Sequence, residues 1–197
     1  MDKQTLSAYD SASAQYARDW NEQPAPDDLY ALVEKYFLRG GPTVDIGCGS
    51  GRDAAWLDAH GYEASGYDPS EGLLEEARAQ YPGLHFGVAA LPELAGLPKG
   101  TFQNVLCETV VMHLDPQDVG AATRALLGLL RPSGTLYLSW RVTEGESIRD
   151  KAGRLYAAFD TQAVRGAIGE GCTLLFDEGA VSASSGKKIH RLVVRKT

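Results

Sequence analysis

No stretch of this sequence is long and apolar enough to span a bilayer, and Met1-Asp2-Lys3-Gln4 is not a basic flank leading into an apolar core. Neither a membrane anchor nor a secretory leader is expected, and a cytoplasmic location is. Cysteine is scarce: Cys48, Cys107 and Cys172 are widely spaced, odd in number and outside any Cys-x-x-Cys or Cys/His cluster. That pattern excludes a disulfide scaffold and offers no metal site, so the three read as small reduced packing residues. An excess of positive charge is also missing. With 19 Lys and Arg against 26 Asp and Glu the net charge is -7, which argues against nucleic acid as the main partner. Internal repeats and low-complexity tracts are absent too. What remains, 197 residues with 44% hydrophobic and 23% charged, is enough for one domain with a full core.

The chain is organised around Thr43-Val44-Asp45-Ile46-Gly47-Cys48-Gly49-Ser50-Gly51-Arg52-Asp53. An apolar run ends in an acid and three alternate glycines, which reads as a buried strand, a turn that glycine permits and a helix start. Alternate glycines clear side chains from the space between strand end and helix N-terminus, so a ligand can lie against main-chain N–H groups. Asp45 at the mouth suits a cationic partner. A dinucleotide fingerprint needs glycine or alanine where Arg52 stands, which disfavours NAD.

Val44 to Asp53 resembles motif I of the class I S-adenosylmethionine-dependent methyltransferases: an apolar strand, an acid and Gly-x-Gly-x-Gly. The resemblance implies a three-layer αβα sandwich around a Rossmann-like, seven-stranded, mostly parallel sheet with an antiparallel last strand, covering the chain from Pro42 onward. Residues 1–41 would be N-terminal helices forming a lid on the 42–197 core of a single domain. It implies S-adenosylmethionine as cofactor, S-adenosylhomocysteine as product, and methyl transfer to an O or N atom of a small acceptor. Gly47, Cys48, Gly49, Gly51 and Arg52 would line the cofactor's amino-acid arm, with Asp45 nearby. An NAD-dependent oxidoreductase sharing the βαβ half, or a cofactor-binding protein without transfer activity, are the alternatives.

Leu6, Tyr9, Ser13, Tyr16 and Trp20 recur at helical spacing, giving one amphipathic helix or a broken pair. Such a stripe packs against a domain; it also resembles the family's leader that closes over the cofactor, which makes Tyr16 a cofactor contact and Tyr9 an acceptor-side candidate. After Pro24 and Pro26, Asp27 and Asp28 open a second helix carrying Leu29, Leu32, Val33, Tyr36 and Phe37. A helix then follows the glycine loop, and Tyr62 to Tyr67 returns as a strand ending in Asp68. This acid, 17 residues beyond Gly51, is placed to accept from both vicinal hydroxyls of a ribose; capping the helix opened by Asp68-Pro69-Ser70 is its other possible duty.

Leu84 to Val88 is a third strand. The family often has an acid after it to meet adenine, whereas this chain has Ala89, Ala90 and Leu91, leaving backbone groups and apolar packing for that contact. Leu91 to Gly100 reads as loop and Phe102 to Cys107 as strand four. The resemblance puts Glu108 and Thr109 beside the methionine part, and His113 in the cleft as a proton acceptor for a hydroxyl acceptor; a packing histidine is the plainer role. No Asn/Asp-Pro-Pro-aromatic sequence is present, which disfavours an exocyclic nucleobase or glutamine nitrogen as target.

Asp115-Pro116-Gln117-Asp118 starts a helix, Arg131-Pro132-Ser133-Gly134 is a turn, and Thr135 to Trp140 is strand five. Residues 142–159 are charged and weakly patterned, a solvated connection by default, yet they leave the C-terminal end of a cleft strand. Arg141, Arg154 and Tyr156 are therefore substrate-side candidates. Asp160 to Ile168 is a helix, Thr173 to Asp177 strand six and Ile189 to Arg195 strand seven. The sum is five β-then-α units and a terminal strand pair.

Overall fold

In the computed structural model, which describes residues 1–197, the N-terminal stripe is a broken pair of helices, α1 (Lys3–Ser11) and α2 (Ser13–Glu22). Asp2 caps α1 by accepting from the Thr5 N–H at 2.8 Å. Pro26 precedes α3 (Asp27–Tyr36), whose first turn holds Asp27 and Asp28 and whose last holds Lys35, each complementing the helix dipole.

Five parallel strands follow: β1 (Pro42–Ile46), β2 (Glu63–Asp68), β3 (His85–Val88), β4 (Phe102–Cys107) and β5 (Leu130–Arg141). Helix α4 (Arg52–Ala59) joins β1 to β2, α5 (Glu71–Gln80) joins β2 to β3, and α6 (Val119–Leu129) joins β4 to β5. Between β5 and the last strands lie a two-stranded ribbon, β6 (Ile148–Arg149) with β7 (Leu155–Tyr156), and α7 (Gln162–Ile168). Strands β8 (Cys172–Val181) and β9 (Lys188–Lys196) close the sheet, whose order is β3-β2-β1-β4-β5-β9-β8. β9 runs antiparallel to both neighbours, so the sheet is seven-stranded and mostly parallel with an antiparallel last strand.

Three expectations change. The β-then-α units number four: the β3–β4 link carries Pro92, Gly96, Pro98 and Gly100 and forms no helix, with Gly96 and Gly100 at positive φ. The turn at Arg131–Gly134 is an excursion within β5, because Leu130 already pairs with Phe102 before the regular ladder resumes at Asn104 and Thr135. Residues 142–159 are not simply a solvated connection: Leu155 N–H donates to Thr5 Oγ1 at 2.8 Å, and Arg149 pairs with Asp2 at 2.8 Å, which fastens the ribbon to α1.

Every residue of β4 is buried, as expected for a central strand covered on both faces. One face packs Val44, Val105, Leu136 and Leu192 against α6; the other packs Leu106, Tyr137 and Val193 against Leu29, Val33 and Leu57. Each fully buried leucine contributes about 1.5–3 kcal/mol relative to exposure. Asn104, the polar exception at 0% exposure, is fully used: its amide donates to Leu38 O at 2.8 Å and Thr43 Oγ1 at 2.9 Å, and its carbonyl accepts from Leu38 N–H at 3.0 Å. It thereby holds the link from α3 into β1. Helix α1 meets the carboxyl end of β2, where Ser70 Oγ donates to Asp10 at 2.5 Å, and α2 packs along α5, with Asn21 donating to Gln80 at 3.1 Å. No helix is long and apolar enough to cross a membrane.

Candidate active site

The sheet order reverses between β1 and β4, and in open α/β sheets the crevice outside the strand ends at such a point is where ligands bind. A cavity of about 440 Å³ occupies it here, within the size range of small-molecule sites. Its floor is the turn after β1. Gly47, Gly49 and Gly51 adopt φ of +77°, +55° and +84°, a region costly to side chains. The first two border the cavity, and a Cβ on Gly49 would lie 2.8 Å from the Trp20 ring of α2. Gly51 does not border it; it lets Phe86 and Ala77 pack against the loop from behind.

Asp68 joins this loop to the tip of β2. One carboxylate oxygen accepts from Gly49 N–H at 3.0 Å and the other from Ser70 N–H at 2.9 Å. The cap of α5 is Ser70, whose hydroxyl accepts from Leu73 N–H at 3.2 Å, so Asp68 is not spent on capping. Burial pushes the Asp68 carboxyl up to about 6, against the pull of those two backbone bonds. Asp45 is not at the mouth: as the penultimate residue of β1 it is buried beneath the loop, and burial together with Asp53 and Asp68 holds its carboxyl well above the usual carboxylate range. Cys48 borders the cavity, but its side chain packs with Ala54, Leu74 and Phe86 behind the loop, and burial and Asp45 raise its thiol. Arg52 borders the cavity too, but it is paired with Asp53 at 2.9 Å, and Tyr30 donates to the same carboxylate at 2.9 Å.

Beyond β4, Glu108 and Thr109 form the next wall. Thr109 sits at φ +54°, uncommon for a residue with a branched side chain, and its N–H donates to Ser139 Oγ at 3.0 Å. The Ser139 hydroxyl donates to Glu108, whose carboxyl burial pushes up to about 7. His113 is 3% exposed with both ring nitrogens engaged. Nδ1 is 2.5 Å from the Leu155 carbonyl and must carry the proton, so Nε2, 3.0 Å from the Tyr9 hydroxyl, accepts from it. Burial lowers its pKa to about 4, leaving the ring neutral. Tyr9 and His113 both border the cavity, and the Tyr9 hydroxyl also accepts from Arg154 at 3.4 Å.

Arg154 pairs with Asp150 and lies over the rings of Tyr9, Tyr16 and Tyr156. Tyr16 does not border the cavity; it packs edge-on behind Tyr9 with centroids 5.0 Å apart. Tyr156 and Arg141 do, with the Arg141 guanidinium 4.6 Å from the Tyr156 ring centre. Ala89, Ala90 and Leu91 lie outside the cavity, and their backbone is engaged within the protein: Ala89 N–H donates to Asp68 O at 3.3 Å, Ala90 O accepts from Leu94 N–H at 2.8 Å, and Leu91 O accepts from the Met1 ammonium at 2.6 Å. Sequence reading missed Trp20, Gln23, Asp53 and the Ser182, Ser184, Ser185 and Lys187 side of the β8–β9 hairpin, all of which border the cavity. The serine-rich composition of that hairpin was the available signal.

Residues 44–138, from the glycine loop through β5, match the family model described as a methyltransferase domain. This segment is thus similar in sequence to methyltransferase domains. The chain is also similar to the ubiquinone biosynthesis O-methyltransferase of Xanthomonas campestris pv. campestris (strain B100), 28% identical over 142 residues that cover 66% of this chain and 59% of that one. It thus spans about three-fifths of those relatives' length. Among solved structures, Burkholderia thailandensis 1,6-didemethyltoxoflavin-N1-methyltransferase, with 1,6-didemethyltoxoflavin and S-adenosylhomocysteine bound, aligns at TM-score 0.75 and 22% identity over 98% of this chain and 87% of its own. The [4+2]-cyclase SpnF aligns at TM-score 0.74 and 17% identity over 99% and 96%. Both share the fold of this chain.

Proposed function

We propose that this protein binds S-adenosylmethionine and transfers its methyl group to an oxygen or nitrogen of a small-molecule acceptor. The observation that carries the reading is the union of Gly49 and Asp68: a bare peptide ridge tied at 3.0 Å to a buried carboxylate that keeps lone pairs for ribose hydroxyls. Two buried acids, Asp68 and Glu108, border the glycine-loop side of the cavity, where the one cation, Arg52, is paired with Asp53, so a cationic ligand suits that side. Gly47, Cys48 and Gly49 would carry the amino-acid arm, Asp68 the ribose, and Glu108 and Thr109 the methionine side. Helices α1 and α2 act as a lid on the core from Pro42 onward, whereas α3, expected to join that lid, belongs to the core itself because Leu29, Val33 and Phe37 are buried against the sheet. The free cysteines fit the cytoplasm. In this reading S-adenosylhomocysteine raises the melting temperature of the protein and NADH leaves it unchanged; a shift with NADH alone would reverse the assignment.

The bound cofactor supplies an electrophilic methyl on a sulfonium. The chain's contribution is to align the acceptor and keep water out, and orientation alone contributes on the order of 7 kcal/mol in favourable cases. Trp20 and Tyr9 cover the cavity from the lid side. Proton removal from a hydroxyl acceptor would pass to the Tyr9 oxygen as the Tyr9 proton moves to Nε2 of His113. With its pKa lowered to about 4, His113 starts neutral at every working pH, so its own titration puts no limb near pH 6.5 in the rate profile. His113→Gln and Tyr9→Phe should each lower kcat by roughly 10- to 100-fold, at the low end of general-base effects, with S-adenosylhomocysteine affinity kept and the double variant no slower than either. Turnover unchanged in both would remove the pair from the mechanism.

A further inference from the structure

Charge along the cavity is segregated. Its acids, Asp53 in the first turn of α4, Asp68 at the end of β2 and Glu108 just past β4, follow β1, β2 and β4, whereas Arg141, Arg154 and Lys187 come from β5, the residue before β7 and the β8–β9 hairpin. The one cation on the acidic side, Arg52, is neutralised by Asp53. Arg154 is likewise matched, by Asp150 at 2.7 Å. Arg141 is not. It forms no ion pair, and Glu144, the acid nearest it in the chain, is held by Lys188 at 3.1 Å. Its guanidinium is only half-buried by stacking on Tyr156, and that ring packs edge-on against His113 with centroids 5.2 Å apart. Stacking fixes the plane of a guanidinium while leaving its N–H edge able to take two oxygens of one acid group.

We infer that the methyl acceptor is an organic anion, a small molecule bearing a carboxylate or phosphate, and that Arg141 takes this group while Lys187 adds positive charge at the exposed rim. The inference rests on the reading of this cavity as the acceptor site of a methyltransferase. A partly desolvated cation in a cavity is costly unless something of opposite sign meets it, and no protein group does so here. The geometry also orders the two ends: an anion on Arg141 places the rest of the molecule toward Tyr9 and His113, between the anchor and the acid-lined cofactor half. Ser182 and Ser185 are tied to each other through the hairpin, and Ser184 donates to Gln23 at 3.2 Å, so this end is held rigid across the lid boundary.

The test is calorimetric binding of matched pairs to the intact protein saturated with S-adenosylhomocysteine: 4-hydroxyphenylacetate against its amide, benzoate against benzamide, and phenyl phosphate. At least one acid should bind roughly tenfold or more tighter than its neutral partner, the size of one charge-assisted hydrogen bond. That preference should shrink to about twofold or less in Arg141→Gln, with S-adenosylhomocysteine affinity unaltered. Carboxylate and phosphate arms decide which acid group is favoured. Equal binding of acids and amides, no binding by any acid, or a preference that survives Arg141→Gln overturns the inference. Failure to take up S-adenosylhomocysteine at all falls instead on the cofactor reading, so the two failures are distinct.

Discussion

Asp68→Ala is expected to weaken S-adenosylhomocysteine binding by roughly a hundredfold or more, because two hydrogen bonds to a charged acceptor are each worth about 1.5–3 kcal/mol when lost. The same change leaves Gly49 N–H without its acceptor and loosens the glycine ridge, so Asp68→Asn is the sharper variant: it keeps the shape and one acceptor oxygen. The pH dependence has a defined sign. Burial raises the Asp68 carboxyl to about 6, and it must be ionised to accept from both ribose hydroxyls. Affinity should therefore fall in the wild type as pH drops from 7 through 6, and stay flat in Asp68→Asn. Stability runs the other way. A carboxyl whose folded pKa is raised favours folding when protonated, and that contribution is lost as pH rises through 6. Relative to wild type, the melting temperature of ligand-free Asp68→Asn should thus rise between pH 5 and pH 8 while its relative affinity falls. Isothermal titration and thermal melts at the two pH values check both; an affinity insensitive to either substitution would remove Asp68 from the site.

Gly47→Ala should cost about 3 kcal/mol of stability, lowering the melting temperature by roughly 6–12 °C for a chain of this size. Two costs add here. The residue sits at φ +77°, where an L side chain is strained, and the new Cβ would lie 2.2 Å from Cγ2 of Val110, a buried residue at the exit of β4. Gly40 separates them, since it has the same φ of +77° with nothing within 4 Å of the point a Cβ would occupy. Gly40→Ala should therefore show the backbone cost alone, about 1 kcal/mol. Val110→Ala in the Gly47→Ala background should recover part of the remainder as a non-additive term. Equal melting temperatures for the Gly40 and Gly47 variants would show that Val110 yields without cost.

Much of this architecture was legible because local chemistry and long-range order agree. Alternate glycines after an apolar strand, an acid at the next strand tip and proline or glycine at most element ends all act through the backbone, and backbone rules read directly from sequence. What escaped depends on partners far apart in the chain. The tautomer of His113 is set by the carbonyl of Leu155, 42 residues on, and its other nitrogen by Tyr9, 104 residues back. Arg52 could be seen to spoil a dinucleotide fingerprint, but not that Asp53 beside it would absorb its charge. The helical spacing of Leu6, Tyr9 and Trp20 was plain; that the stripe would land on Gly49 was not. Lys187 looked like one more hairpin lysine, because its value lies in facing the same cavity as Arg141, 46 positions away by chain numbering. Asp45 misled for a related reason: period-two alternation at the end of β1 turned it under the loop.

The placement of Trp20 against Gly49 has an optical consequence. Of the three tryptophans, Trp56 is sandwiched between Tyr30 and His60 on the far side of α4, and Trp140 is enclosed in β5 beside His190. Neither borders the cleft. Only the indole of α2 rests on the peptide ridge, so the colour of its emission records, over a constant background from the other two, whether that ridge is covered by protein or by something else.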